Sequence, residues 1–287
     1  MASAWVLTDR RYLEQRMPSA LIEWLRAQGH PPALVVADDG ARVTSIAPLA
    51  GPAPRSAWGA LEPGDVVVTR SRDPYALALL EEAEARGARA LDRAEAVQRV
   101  RDKVTCALGL AHRGLPVPPT LLAHRPGDLA ALPASAFPLV VKPVLGDNAH
   151  GVRIVARRGE LDGVDWDAGP HVAQPYVDAG GFDLKLYVAG DAIWATRRPG
   201  PLSERTDPVT RVAVTPELRR IADGCRAEFG LRLFGVDVLE SAGRLAIVDV
   251  NEFPNYTGVD EAPEAIGALV LAEAEGPRAA SPQAVTV

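Results

Sequence analysis

The run Leu233-Phe234-Gly235-Val236-Asp237-Val238-Leu239-Glu240-Ser241-Ala242-Gly243-Arg244-Leu245-Ala246-Ile247-Val248-Asp249-Val250-Asn251-Glu252-Phe253-Pro254-Asn255-Tyr256 decides how the chain is read. Its two apolar arms turn at Ser241 to Gly243, which reads as a β-hairpin with strands over 233–240 and 244–250. Residues two apart on a strand share a face. Asp249 and Asn251 therefore point together while Val248 and Val250 pack on the other side. Asp237, on the facing arm, supplies a third oxygen. Hard oxygen ligands of this kind suit magnesium, which keeps several waters and bridges nucleotide phosphates. A half-solvated hairpin with an acidic outer face fits the same residues, and from the hairpin alone the two readings are even.

Upstream, Lys142-Pro143-Val144-Leu145-Gly146-Asp147-Asn148-Ala149-His150-Gly151-Val152 places a lysine at the end of an apolar strand, before a small-residue loop and a further strand. An ammonium and flexible backbone N–H groups so arranged hold phosphate. A generic hairpin turn has the same outline, but a lysine buried behind Pro138 to Val141 calls for an anionic partner. Next come Gln174-Pro175-Tyr176-Val177, then Asp183-Leu184-Lys185-Leu186-Tyr187-Val188, then Arg197-Arg198-Pro199. Alternation puts Asp183, Lys185 and Tyr187 on one face and Leu184, Leu186 and Val188 on the other. Taken singly, such a charged face or arginine pair is usually plain solvent exposure.

The first third alternates strand and helix, as a parallel α/β unit does. Trp5 to Thr8, Leu34 to Ala37 and Asp65 to Thr69 read as strands. Leu13, Met17, Leu21, Trp24 and Leu25 recur at helical spacing, and Pro74 opens a helix to Arg86. Ala47 to Ala60 reads as a surface loop. Further helices are expected from Asp102 to Arg113 and from Pro216 to Phe229, and strands at Leu139 to Lys142, Val152 to Ala156, Asp183 to Val188 and Ala192 to Ala195.

Composition narrows the function. With 287 residues, 47% hydrophobic, the chain suits two or three packed subdomains. Lysine plus arginine number 31 and aspartate plus glutamate 37, a net charge of −6 with no basic run, which argues against nucleic-acid binding. Cys106 and Cys225 read as two small buried side chains, and the histidines at 30, 112, 124, 150 and 171 lack metal-site spacing. The chain shows no signal peptide or membrane span, so a cytoplasmic location is expected and Asn255-Tyr256-Thr257 is a chance sequon. Neither GxGxxG nor a P-loop occurs: Gly109 and Gly114 have the P-loop spacing, but Leu115 stands where lysine is required.

Taken in order, Arg101-Asp102-Lys103, a helix, Gly114 to Thr120, Val141-Lys142-Pro143, the small-residue loop, Gln174 to Val177, Gly235-Val236-Asp237 and Asp249-Val250-Asn251 resemble the ATP-grasp enzymes, from about residue 65 to 260. Within that class the chain is similar to the RimK-type amino acid ligases and to the ATP-grasp inositol polyphosphate kinases. The resemblance implies an α/β ATP-grasp fold: a Rossmann-like N-terminal domain over 1–96, and two α+β lobes over 97–175 and 176–275 that hold ATP between them, with a flexible tail over 276–287.

It also implies roles. Lys103 and Lys142 hold the nucleotide phosphates, and Gly146 to Gly151, with Asn148 among them, fold over these. Gln174, Pro175, Tyr176 and Val177 receive the adenine, for which Pro175 offers only a carbonyl, and Asp183 accepts from the ribose. Asp237, Asp249 and Asn251 are the metal ligands, for magnesium or manganese, and Arg198 with Lys185 is catalytic. RimK-type ligases usually carry a glutamate at Asp249, Gly-Ser-x-Gly-x-Gly at Gly146 to Gly151, and Asp-Ile-Arg at Asp183 to Lys185. The kinases match Lys185, Arg198-Pro199, a histidine near His150 and the run Asp249 to Tyr256. A polyphosphate acceptor demands a basic pocket, and Lys103, Lys142 and Lys185 are the only lysines. The implied function is therefore a carboxylate–amine ligase acting through an acyl phosphate, with a hydroxyl kinase as the alternative. Its partners would be a carboxylate and an amine; nucleic acid and membrane are not expected, and self-association is left open.

Overall fold

The computed structural model describes residues 2–38, 57–147 and 149–276. Its N-terminal sheet contains β1 (Ala4–Thr8), β2 (Ala33–Val36), β3 (Val66–Arg70) and β4 (Arg89–Ala90), all parallel, in the order β2-β1-β3-β4. Every residue of β1 and β3 is buried, as expected of parallel strands covered on both faces. Helices α1 (Arg10–Leu13), α2 (Arg16–Ala27) and α3 (Pro74–Ala85) connect them. α3 starts where predicted, with Pro74 in the first turn and the Asp73 carboxylate accepting from the Tyr75 amide at 2.8 Å. The first helical stretch is interrupted: α1 and α2 are separate, and Met17, before Pro18, has extended backbone angles.

Helices α4 (Ala94–Arg101) and α5 (Lys103–His112) lead to a four-stranded antiparallel sheet. It consists of β5 (Leu121–Ala123), β6 (Leu139–Pro143), β7 (Arg153–Val155) and β8 (His171–Pro175), ordered β5-β8-β6-β7, with the short α6 (Pro126–Ala130) beneath. The second antiparallel sheet holds β9 (Phe182–Ala189), β10 (Ala192–Pro199), β11 (Thr210–Val212), β12 (Leu233–Ser241) and β13 (Arg244–Glu252), in the order β11-β10-β9-β12-β13. Helix α7 (Pro216–Phe229) is capped by Thr215 and ends at Gly230 in the left-handed region. Its Leu218, Ile221, Ala222, Cys225 and Phe229 pack with α4 and α5 under this sheet.

The C-terminal helix α8 (Ala262–Glu275) ties the sheet to the N-terminal unit through α2. A Cβ on Gly267 would lie 2.1 Å from Trp24 Cε3, so only glycine admits this approach.

Several expectations need correction. β10 continues four residues past Ala195, because Thr196 to Pro199 pair with β9, and Thr196 and Arg197 also with β11. α8 was not anticipated. Of the predicted loop at 47–60, residues 47–56 lie outside the described residues, whereas Ala57 and Trp58 are buried and the Trp58 indole donates to the Leu79 carbonyl at 2.8 Å. The expected tail lies outside the described residues from 277 onward. Both cysteines are buried in helices as expected. No described helix is long and apolar enough to cross a membrane.

Candidate active site

A cleft of about 550 Å³ opens between the two antiparallel sheets and reaches the C-terminal edge of the N-terminal one. Its floor is one face of the five-stranded sheet. On β9, Asp183 stands opposite Arg198 of β10, and Lys185 opposite Asp237 of β12. Asp237 in turn stands opposite Asp249 of β13, with Asn251 two residues further on the same face. The predicted alternation therefore brings Asp183, Lys185, Arg198, Asp237, Asp249 and Asn251 onto one wall. Arg197 points the other way, its guanidinium carbon 3.4 Å from the Phe182 ring centroid.

Asp237 is the hub of this wall. Its Oδ2 accepts from Lys185 Nζ at 2.7 Å and from Asn251 Nδ2 at 2.9 Å, while Oδ1 accepts from Arg198 Nη2 at 3.2 Å. Gly235 makes the lysine's approach possible, since a Cβ there would lie 2.9 Å from Lys185 Cε. Among the described residues no three His, Cys, Asp or Glu side chains form a metal cage. The available set is two facing carboxylates and one amide.

The hairpin departs from the expected register at one point. The pairing slips after Asp237, so that Val238 faces Ile247 and Val248 is a bulge residue. Val248 therefore lines the cleft instead of packing beside Val250. Its carbonyl accepts from Lys142 Nζ at 2.7 Å. Lys142 is 8% exposed; burial pushes its ammonium pKa down, with Asp249 opposing that shift.

Lys103 opens α5, capped by Asp102, and its Nζ donates to the Gly146 carbonyl at 2.9 Å. The loop it touches needs glycine at Gly151: φ is +73° and a Cβ would lie 2.8 Å from Pro143 Cγ. Asp147 in this loop accepts from Arg11 at 2.7 Å. Asn148, expected at the phosphates, lies outside the described residues. All three lysines of the chain line the cleft.

At the other end, Gln174 is buried and donates to Thr120 Oγ1 at 2.9 Å, so it holds the strand in place and its amide is engaged. The Tyr176 amide donates to the Pro138 carbonyl at 3.0 Å. Pro175, Tyr176 and Val177 line the cleft, and the Val177 N–H has no partner among the described residues. Asp183 is buried beneath Gly200, whose absent Cβ would lie 2.8 Å from Asp183 Oδ1. Burial and then Asp237 push its carboxyl pKa up to about 6, against Arg198 and Lys185.

Sequence reasoning missed the groups that arrive from the N-terminal unit. Arg101 donates to Glu252 Oε1 at 2.9 Å and to the Ser71 carbonyl. Tyr12, Gln15, Arg70 and Arg72 form the far end of the cleft. The one available signal was charge placed directly after the apolar run Val66-Val67-Val68-Thr69.

Two antiparallel sheets gripping a cleft that contains every lysine, with paired carboxylates on the floor, describe an ATP-grasp enzyme. Residues 100–268 match the RimK-like ATP-grasp domain, and the chain belongs to that family. It is 30% identical over 221 residues to a probable alpha-L-glutamate ligase of Stutzerimonas stutzeri (strain A1501), covering 70% of this chain and 72% of the relative. A probable alpha-L-glutamate ligase of Marinobacter nauticus (strain ATCC 700491 / DSM 11845 / VT8) is 31% identical over 219 residues, covering 70% and 73%. The fold is similar to that of the ATP-grasp ligase PsnB complexed with the precursor peptide PsnA2 and AMPPNP. That likeness has a TM-score of 0.71 at 19% identity and covers 96% of this chain and 98% of PsnB. PsnB is also known complexed with minimal precursor, Mg and ADP. The protein is an ATP-grasp ligase, the first of the two activities expected from sequence.

Proposed function

We propose that the cleft binds ATP and joins a substrate carboxylate to an amine, with L-glutamate as one of the two partners and a peptide or small molecule as the other. The nucleotide phosphates lie at Lys103, Lys142 and the loop Gly146 to Gly151, Asn148 included. Adenine lies against Pro175, Tyr176 and Val177, which Gln174 positions, and Asp183 accepts from the ribose. The working boundaries are 1–96, 97–175 and 176–275, and α4 bridges the first two units.

A magnesium ion, or manganese in its place, fits Asp237, Asp249 and Asn251. The donors are hard oxygens, and a site with few protein ligands leaves room for water and phosphate. When bound, the ion offsets charge building up between the phosphates. A carboxylate oxygen of the substrate attacks the γ-phosphorus and ADP departs, leaving an acyl phosphate. The amine then attacks the acyl carbon, losing a proton, and phosphate leaves as the amide forms. Arg198 and Lys185 lie where negative charge develops in both steps.

The row Arg198, Asp183, Lys185, Asp237, Asp249 and Asn251 on a single sheet face carries this reading. Asp237 is also tied to two cations, Lys185 and Arg198, which balance its carboxylate. Incubating the protein with ATP, magnesium, L-glutamate and pooled amino acids and peptides tests it. Equal amounts of ADP and free phosphate, with a new amide by mass, are expected. ADP with a phosphorylated acceptor and no free phosphate would mean a kinase.

A further inference from the structure

Beyond the metal position the cleft continues to Tyr12, Arg70 and Arg72, outside every role assigned above. Arg70 is fully engaged. It donates to the carbonyls of Met17 at 2.9 Å and Phe253, and to Asn255 Oδ1 at 2.9 Å, with its guanidinium carbon 4.3 Å from the Tyr12 ring centroid. Arg72 is not. Its side chain is only 20% exposed. Its nearest acceptors, Asn251 Oδ1 and Glu252 Oε2, both lie 3.4 Å from the same terminal nitrogen, Nη2. Among the described residues no hydrogen bond is formed by its Nε or Nη1, and the residue lines the cleft. A guanidinium carries five N–H donors, and those on Nε and Nη1 of Arg72 are unused.

The backbone beneath Arg72 is held in place. Asp9, at the end of β1, accepts through Oδ2 from the Arg72 amide at 2.8 Å, Ser71 Oγ at 3.0 Å and the Asp73 amide at 3.3 Å. The turn thus sits at the C-terminal edge of a parallel sheet, where open α/β sheets present their ligands. Glu252 serves both Arg101, at 2.9 Å, and Arg72, at 3.4 Å, so two guanidiniums share one carboxylate. Of the other acids nearby, Asp147 is paired with Arg11 and Asp249 faces the metal position.

We propose that Arg72 anchors a carboxylate group of the non-nucleotide substrate through the unpartnered N–H groups of its guanidinium, and that Asp9 is the positioning residue that fixes the backbone beneath it. The proposal rests on the ligase reading. It identifies the N-terminal unit as the part of the enzyme that selects an anionic substrate. A guanidinium charge favours a carboxylate over an uncharged acceptor such as an alcohol or an amide carbonyl.

Calorimetry on protein loaded with AMPPNP and magnesium tests it, with L-glutamate and N-acetyl-L-glutamate as probes and the diamide of glutamate as the uncharged control. Arg72→Gln is expected to weaken carboxylate binding by about tenfold or more, with AMPPNP affinity unchanged. Arg72→Lys should recover only part of the loss. Asp9→Asn should raise the KM for the carboxylate substrate and leave the KM for ATP in place. Retained AMPPNP affinity in each variant reports an intact fold. Equal carboxylate affinity in wild type and Arg72→Gln overturns the anchor, as does an equal loss of AMPPNP affinity. Wild-type protein that binds AMPPNP but neither glutamate probe overturns glutamate as a partner, and the anchor with it.

Discussion

Arg198 shows how much one side chain's direction decides. Its register opposite Asp183 turns it toward the cleft, whereas Arg197 stacks on Phe182 on the opposite face. Arg198→Lys is expected to lower kcat on the order of a hundredfold with little change in the KM for ATP, because lysine cannot donate two parallel bonds to a phosphoryl group. Arg197→Lys should be silent, and the reverse pattern in steady-state kinetics would break the assignment.

Asp183 gives a pH test. Its carboxyl is raised to about 6 from an ordinary 3.8, so folding favours the protonated form. That stabilisation is complete below 3.8 and is lost as pH rises through 6. Asp183→Asn should therefore melt higher than wild type above pH 6. In wild type the KM for ATP should climb below pH 6, as the ribose acceptor gains a proton, and in the variant it should stay flat. Lys142 is a buried ammonium held by a single carbonyl. Lys142→Met should weaken ATP binding in calorimetry while raising the melting temperature of the nucleotide-free protein. These side chains were legible because strand alternation fixes their faces. Val248 was not, because a bulge leaves no mark in an unbroken apolar run.

Among the elements, the loop between β6 and β7 is the most constrained. Gly151 combines a positive φ with close contact to Pro143, so Gly151→Ala is expected to cost about 1–2 kcal/mol. It should also displace the backbone that faces the phosphates, weakening AMPPNP binding by calorimetry at unchanged affinity for the adenosine half of the ligand. Elements whose apolar residues keep strict period were read to within a residue or two: α7 was placed at Pro216–Phe229, and α3 and β12 nearly as well. The strand end Thr196 to Pro199 was missed because its residues are not apolar and only pairing with β9 and β11 makes them strand. α8 was missed for another reason. It is apolar nearly all round, and its partner, α2, lies more than 200 residues away in sequence.

In the whole molecule, an acidic chain of net charge −6 gathers its three lysines into one cleft. The two antiparallel sheets supply the residues proposed to hold nucleotide and metal from short, regular stretches, and alternation along those stretches made their shared face readable. The N-terminal unit supplies Arg70 and Arg72 across an interface held by α2, α8 and the contact of Trp24 with Gly267. No spacing in the sequence encodes that meeting, so this end of the cleft could not be read in advance. The ligation itself can be followed by one oxygen atom. When the carboxylate substrate identified by ADP release carries oxygen-18 in its carboxyl group, the attack on the γ-phosphorus moves one labelled oxygen onto phosphorus. Mass spectrometry of the inorganic phosphate should then find one labelled oxygen per amide formed. Unlabelled phosphate, or label that stays with a phosphorylated acceptor, would mean that no acyl phosphate forms in this cleft.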